Sequence, residues 1–180
     1  MPSFAHALRL AVASNGALEI VDLRNARNGS DVPSVQKTLE QWRLFPDHCG
    51  PGEKKTLGLR VKKTREQGQS RKEIGKRLDN DAPDLLVIGT QSRRRIGHLF
   101  GQDFAEHLAH SHRQTTLYLP TGVQPFVDPK TGRLSLDSIL VPVANTPPIE
   151  PTFAFLRRLL TFLPEIDPTI TGLHAGDLFP

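Results

Sequence analysis

DLLVIGTQSRRRIGHLFGQD, running from Asp84 to Asp103, is the stretch on which the fold turns. Its first part, DLLVIG, is apolar without the alternation of a one-sided strand, the pattern of a strand covered by helices on both faces. The run ends at Gly89 and opens into a loop with three consecutive arginines, Arg93, Arg94 and Arg95. A helix is expected to begin at Asp103 and run through DFAEHLAH, with Glu106 completing a capping box. Strand, loop and helix in that order often hold a phosphate.

Strands and helices alternate outward from this junction. Phe4, Ala7, Leu8, Ala11 and Val12 follow helical spacing, and Asn15-Gly16 stops that helix because both residues tolerate the left-handed conformation. ALEIVDL (Ala17 to Leu23) reads as a strand and Val35 to Leu44 as a second helix, with Trp42 and Phe45 on its core side. In TLGLRVKK (Thr56 to Lys63), Leu57, Leu59 and Val61 alternate as in a half-buried strand. Ser70 and Glu73 form a capping box for the helix SRKEIGKRL. On the other side lie the short strand TTLYLP, a turn-rich linker, the buried strand SILVPVA, a helix through TFAFLRRLLTF and a last strand, ITGLHAG. Strands alternating with helices throughout imply a parallel sheet in a three-layer α/β/α fold.

The totals fit that reading. A chain of 180 residues suits one ordinary domain better than two. Its 37% hydrophobic and 23% charged content describes a globular protein. No apolar run approaches the roughly 20 residues of a membrane helix. Arg9 interrupts the apolar start, and no cationic stretch precedes it, which argues against a cleaved signal. The net charge of +4 permits anionic partners without requiring them. The single cysteine, Cys49, cannot form an internal disulfide, which suits a reducing cytoplasm. Although His48 lies beside it, proline and glycine on both sides make FPDHCGPG a plain loop.

The chain also repeats itself. SFAHALRL from Ser3 lines up with TFAFLRRL from Thr152 at an offset of 149 residues, and a strand follows each copy. A strand, SILVPVA, precedes only the second copy. Either the first unit's opening strand lies upstream of this sequence, or SILVPVA returns through the linker to fill the central position of the first sheet. The second arrangement is expected, because it leaves no central backbone unpaired.

Four blocks together resemble the universal stress protein family, in its tandem-domain form. SILVPVANTPP is similar to the family's opening strand and turn, and FAHALRLAVASNGALEIVDL to its first helix and second strand. GQSRKEIGKRLDNDAPDLLVIGT resembles its third helix and fourth strand, and GHLFGQDFAEHLAHSHRQTTLYLP its last loop, helix and strand. The resemblance implies a doubly wound parallel sheet, Rossmann-like and of the adenine nucleotide alpha hydrolase type. Residues 1–120 would form a stress-protein domain lacking its first strand, 121–137 a linker, and 138–180 the start of a second repeat that could complete the first sheet.

The family's nucleotide-binding members carry G-x-x-G, nine further residues and G-[ST], a loop whose amides and hydroxyl hold phosphates. On this chain Gly89 takes the first position, but Ser92, Gln102 and Asp103 take the other three, with Gly101 one place early. A carboxylate at Asp103 caps its own helix and repels a phosphate. The family's opening strand usually ends in an aspartate that contacts nucleotide, with a serine soon after; here Ala144 and Thr146 stand there. The candidate nucleotide-binding set is therefore Gly89, Thr90, Ser92, Arg93, Gly101, Gln102 and Asp103, with Pro142, Ala144 and Thr146. It reads as degenerate.

Other candidates are weaker. His107, His110 and His112 have no carboxylate or cysteine nearby to complete a metal site, and the last turn of a helix suits histidine anyway. VKKTREQGQSRKEIGKR is basic, but no aromatic side chain interrupts it to stack on bases, so it reads as a solvated face. The resemblance implies a homodimer through the edge strand Thr115–Leu119. The sequence thus suggests a cytoplasmic, non-catalytic stress-response protein with no cofactor or metal. The alternative is an adenine-nucleotide binder with at most slow ATP hydrolysis, using Gly89, the arginines and Thr146.

Overall fold

In a computed structural model the described residues are 1–22, 33–44, 58–65, 71–90, 114–120, 122–144, 146 and 148–174. Among them the chain forms helices α1 (Pro2–Ala13), α2 (Val35–Gln41), α3 (Arg71–Asp81) and α4 (Glu150–Phe162). Its strands are β1 (Ala17–Asp22), β2 (Arg60–Arg65), β3 (Leu86–Thr90), β4 (Thr116–Pro120), β5 (Ser138–Val143) and β6 (Thr169–His174). The protein is of the α/β class, and it divides into two units, Met1–Gly132 and Arg133–Pro180.

The strands pair in parallel as β1 with β2, β3 with β4, and β5 with β6. In the first unit α1 lies against both β1 and β3, so a single helix spans two strand pairs. Its inward residues Phe4, Ala5, Leu8 and Ala11 are buried, with Leu8 fully so. Pro2 opens the helix, where its missing N–H costs nothing. A Schellman motif closes it: the Gly16 amide donates to Ala11 and the Asn15 amide to Val12. Asn15 takes the left-handed conformation at φ +50°, while its glycine neighbour does not need it. Helix α2 starts at Ser34, whose hydroxyl accepts the Lys37 amide, and ends in the same motif with Arg43 at φ +56°.

The structure departs from the sequence reading in three places. Helix α2 ends at Gln41, three residues short of Leu44, at the left-handed turn on Arg43. Strand β2 begins at Arg60, not Thr56, because Gly58 at φ +64° cannot continue an extended ladder; residues 51–57 lie outside the described residues. The expected buried face of β2 is correspondingly weak, with Val61 41% exposed. The apolar β3 is half-buried rather than sealed: β4 is its one strand partner among the described residues, and α1 is the helix against it.

Within the second unit β5 and β6 are joined through α4. In the first unit the chain after β4 is engaged as far as Gly132. Val127 is fully buried, and its amide donates to His6 Nε2 of α1 at 3.2 Å. The Phe126 ring meets the His6 ring edge to face at 4.2 Å. Trp42 Nε1 donates to the Pro129 carbonyl at 3.2 Å, and Arg9 Nε to that of Gly132 at 3.3 Å. Residues 122–132 are therefore a strap across α1 and the end of α2, not a free connector.

In the second unit the buried apolar residues are Val141, Leu156 and Leu163, while Leu140, Ile170 and Leu173 are exposed. No helix among the described residues is long and apolar enough to cross a membrane.

Candidate functional site

The carboxyl end of β3 is where the sequence places the start of a phosphate loop. There Gly89 stands opposite Leu119, and Thr90 opposite Pro120, which has no N–H to extend the ladder. Gly89 is exposed, and the first turn of α1 comes close to it: a Cβ built on Gly89 would lie 3.0 Å from Ser3 Oγ and 3.3 Å from Ser3 Cβ. A side chain at Gly89 would crowd that of Ser3. The sequence singled out Gly89 for a bound anion, and the structure adds a reason internal to the protein. The N-cap residue of α1, Met1, makes no side-chain capping bond, so the positive end of the helix dipole faces the same neighbourhood.

Ser92, Arg93, Gly101, Gln102 and Asp103 lie outside the described residues, as do Arg94 and Arg95, the helix expected from Asp103, and His107, His110 and His112. Cys49 and His48 also lie outside them.

The other three candidates belong to the second unit. Pro142 is an exposed residue of β5 opposite Leu173, and Ala144 and Thr146 are exposed just beyond the strand. His174 at the end of β6 donates through Nδ1 to the Val143 carbonyl at 3.0 Å, which closes the strand pair at this end. These three candidates present a proline ring, a methyl group and one hydroxyl. None of these is a base, a nucleophile activated by a base, or a carboxylate able to hold a metal. Among the described residues no group of three or more histidines, cysteines or acids could hold a metal ion.

The sequence missed a cluster of polar side chains on the outer side of β1 and β2. Glu19 receives Lys62 Nζ at 3.1 Å and a short contact from Arg77 Nη2. Thr64 Oγ1 donates to Glu19 at 3.3 Å and accepts Arg77 at 3.0 Å, while Arg77 Nε reaches Asp81 at 3.3 Å. Partial burial pushes the Glu19 carboxyl up most strongly of any one influence, but the bonds and charges of Lys62 and Arg77 together outweigh it and hold the group below the usual carboxylate range. Of the cations in the basic stretch, Lys62 thus ties β2 to β1 and Arg77 ties α3 to the strand pair. Only the Arg77–Asp81 spacing of four residues could have been read from the sequence; Glu19 lies 58 residues from Arg77.

No family model, no curated protein and no solved structure matches this chain.

Proposed function

We propose that this chain is a universal-stress-type protein that works through self-association and partner contacts and catalyses no reaction. Its sheet would be the doubly wound, three-layer Rossmann-like form, its nucleotide site degenerate and its compartment the cytoplasm. Support comes from the alternation of strands and helices, the parallel pairing of each strand pair, and the four blocks of sequence likeness.

One observation carries the reading. Ala144, at the carboxyl end of β5, stands where the resemblance expects a nucleotide-contacting aspartate, and it presents an exposed methyl group. Methyl groups neither accept a hydrogen bond from a ribose hydroxyl nor hold a magnesium ion.

Thermal unfolding with and without millimolar Mg-ATP tests this. The expected result is an unchanged midpoint. A ligand present at a hundred times its Kd would add about 2.7 kcal/mol, a shift easily seen, and would establish the nucleotide-binding alternative instead. Self-association is tested by light scattering across a range of concentrations. Tyr118, 37% exposed on β4, lies within the proposed edge Thr115–Leu119, so Tyr118→Lys should weaken the dimer. A wild-type chain that stays monomeric at every concentration would remove self-association from the proposal.

A further inference from the structure

His6 is fully buried, and its two ring nitrogens have different partners. Nδ1 lies 2.7 Å from the Pro2 carbonyl, which can only accept. Nε2 lies 3.2 Å from the Val127 amide, which can only donate. Both bonds can form together in one state alone, the neutral imidazole with its proton on Nδ1. A proton added at Nε2 would set two donors against each other at a side chain closed to solvent.

Among the described residues the surroundings offer the cation nothing in exchange. On α1 the nearest charged side chain in sequence is Arg9, of like charge, whose Nε is bound to Gly132. On the strap, Asp128 Oδ1 accepts the Lys130 amide at 2.7 Å, which together with Thr131 keeps that carboxyl ionised and turned to its own turn. On β1, the strand under α1, Glu19 is engaged by Lys62 and Arg77. The described side chains of β3, the other strand under α1, are uncharged. Against His6 itself stand the Phe126 ring and the buried Val127.

We propose that His6 is a proton-operated latch on the strap: neutral, it clasps the Val127 amide and seats residues 122–132 on α1; protonated, it gives up that amide and the strap lifts. Burial holds the imidazole below its ordinary value of 6.5, outweighing the opposing bond to Pro2. The sign follows. The lifted strap binds the proton more readily than the seated one, so the latch is fully closed above pH 6.5 and opens as the pH falls through the lowered value. The strap ends at Gly132, the last residue of the first unit.

The molecule carries its own reporter. Trp42 is the single tryptophan, 6% exposed, and its indole N–H is bonded to Pro129 on the strap. Fluorescence of the full chain, titrated from pH 8 to 5, should shift reversibly to the red with a midpoint below 6.5, while far-ultraviolet circular dichroism stays constant. His6→Gln, whose amide can donate to Pro2 and accept from Val127 without titrating, should abolish the shift. Should that variant fail to fold, nitrogen NMR of the wild-type imidazole serves in its place: Nε2 and the Val127 amide should titrate together. Emission that stays flat to pH 5, a shift that persists in His6→Gln, or an imidazole that titrates without the Val127 amide would each overturn the proposal.

Discussion

The two copies of the internal repeat, α1 with β1 and α4 with β6, share a pattern and differ in what it buries. At the offset of 149 residues Phe4 corresponds to Phe153, yet Phe4 is 9% exposed and Phe153 47%. Where α1 places the fully buried Leu8, α4 places Arg157, beside Phe153 and Ala154 in an open groove. A guanidinium is not buried without a partner, so that face of α4 stays in water. β1 has Leu18 buried on one side and Glu19 bound to α3 on the other, while all six residues of β6 are exposed. A helix motif supplies an apolar stripe, and the neighbours decide whether it becomes core.

The strongest way to break this comparison is to truncate both helices. Leu8→Ala removes a fully buried side chain and should cost about 2–5 kcal/mol. Phe153→Ala removes a larger side chain but should change stability by no more than about 0.5 kcal/mol. Urea unfolding followed by Trp42 fluorescence measures both. Equal losses would mean that the α4 face is covered in solution and that the contrast between the copies is false.

The strap gives the next largest effect. Gly132 sits at φ +69°, and a Cβ there would meet Trp42 Cδ2 at 2.5 Å, against a ring already held through its N–H by Pro129. Gly132→Ala combines left-handed backbone strain with overpacking, each costing about 1–3 kcal/mol. The same unfolding assay should show a loss of at least about 2 kcal/mol, the two costs together, with the native Trp42 emission shifted. An unperturbed protein would show that the strap can re-seat without its glycine.

Much of the first unit could be read from the sequence because its signals are local. The α1 stripe, the stop at Asn15 and the burial of Trp42 each follow from residues within a few positions of one another. The start of β2 was not legible because the alternation of Leu57, Leu59 and Val61 runs straight through Gly58, and only its φ of +64° interrupts the extended run. The strap escaped altogether. It has no hydrophobic period, and its anchors lie 87 residues away for Trp42 and 121 for His6. The candidate site divides the same way. Gly89 and Ala144 were visible as residue types at strand ends, but the approach of Ser3 to Gly89 joins positions that no spacing rule connects.

The smallest effect sharpens the comparison at the strands. Glu19 ties β1 to α3 through Arg77, a tie that leaves β1 unlike the exposed β6. Glu19→Gln keeps the size of the side chain and removes its charge. Since Glu19 and Arg77 are partly open to solvent, the cost should be only about 0.2–1 kcal/mol, and added salt should shrink it. The pH dependence has a definite sign. The Glu19 carboxyl is held below its ordinary value of 4.5, so its contribution is complete above that pH and is lost as the pH falls through the lowered value. Stability curves of wild type and Glu19→Gln should therefore run apart at neutral pH and converge in acid. Parallel curves at every pH would show that Arg77 holds α3 to the strands through Thr64 alone, and that the charge on β1 is incidental.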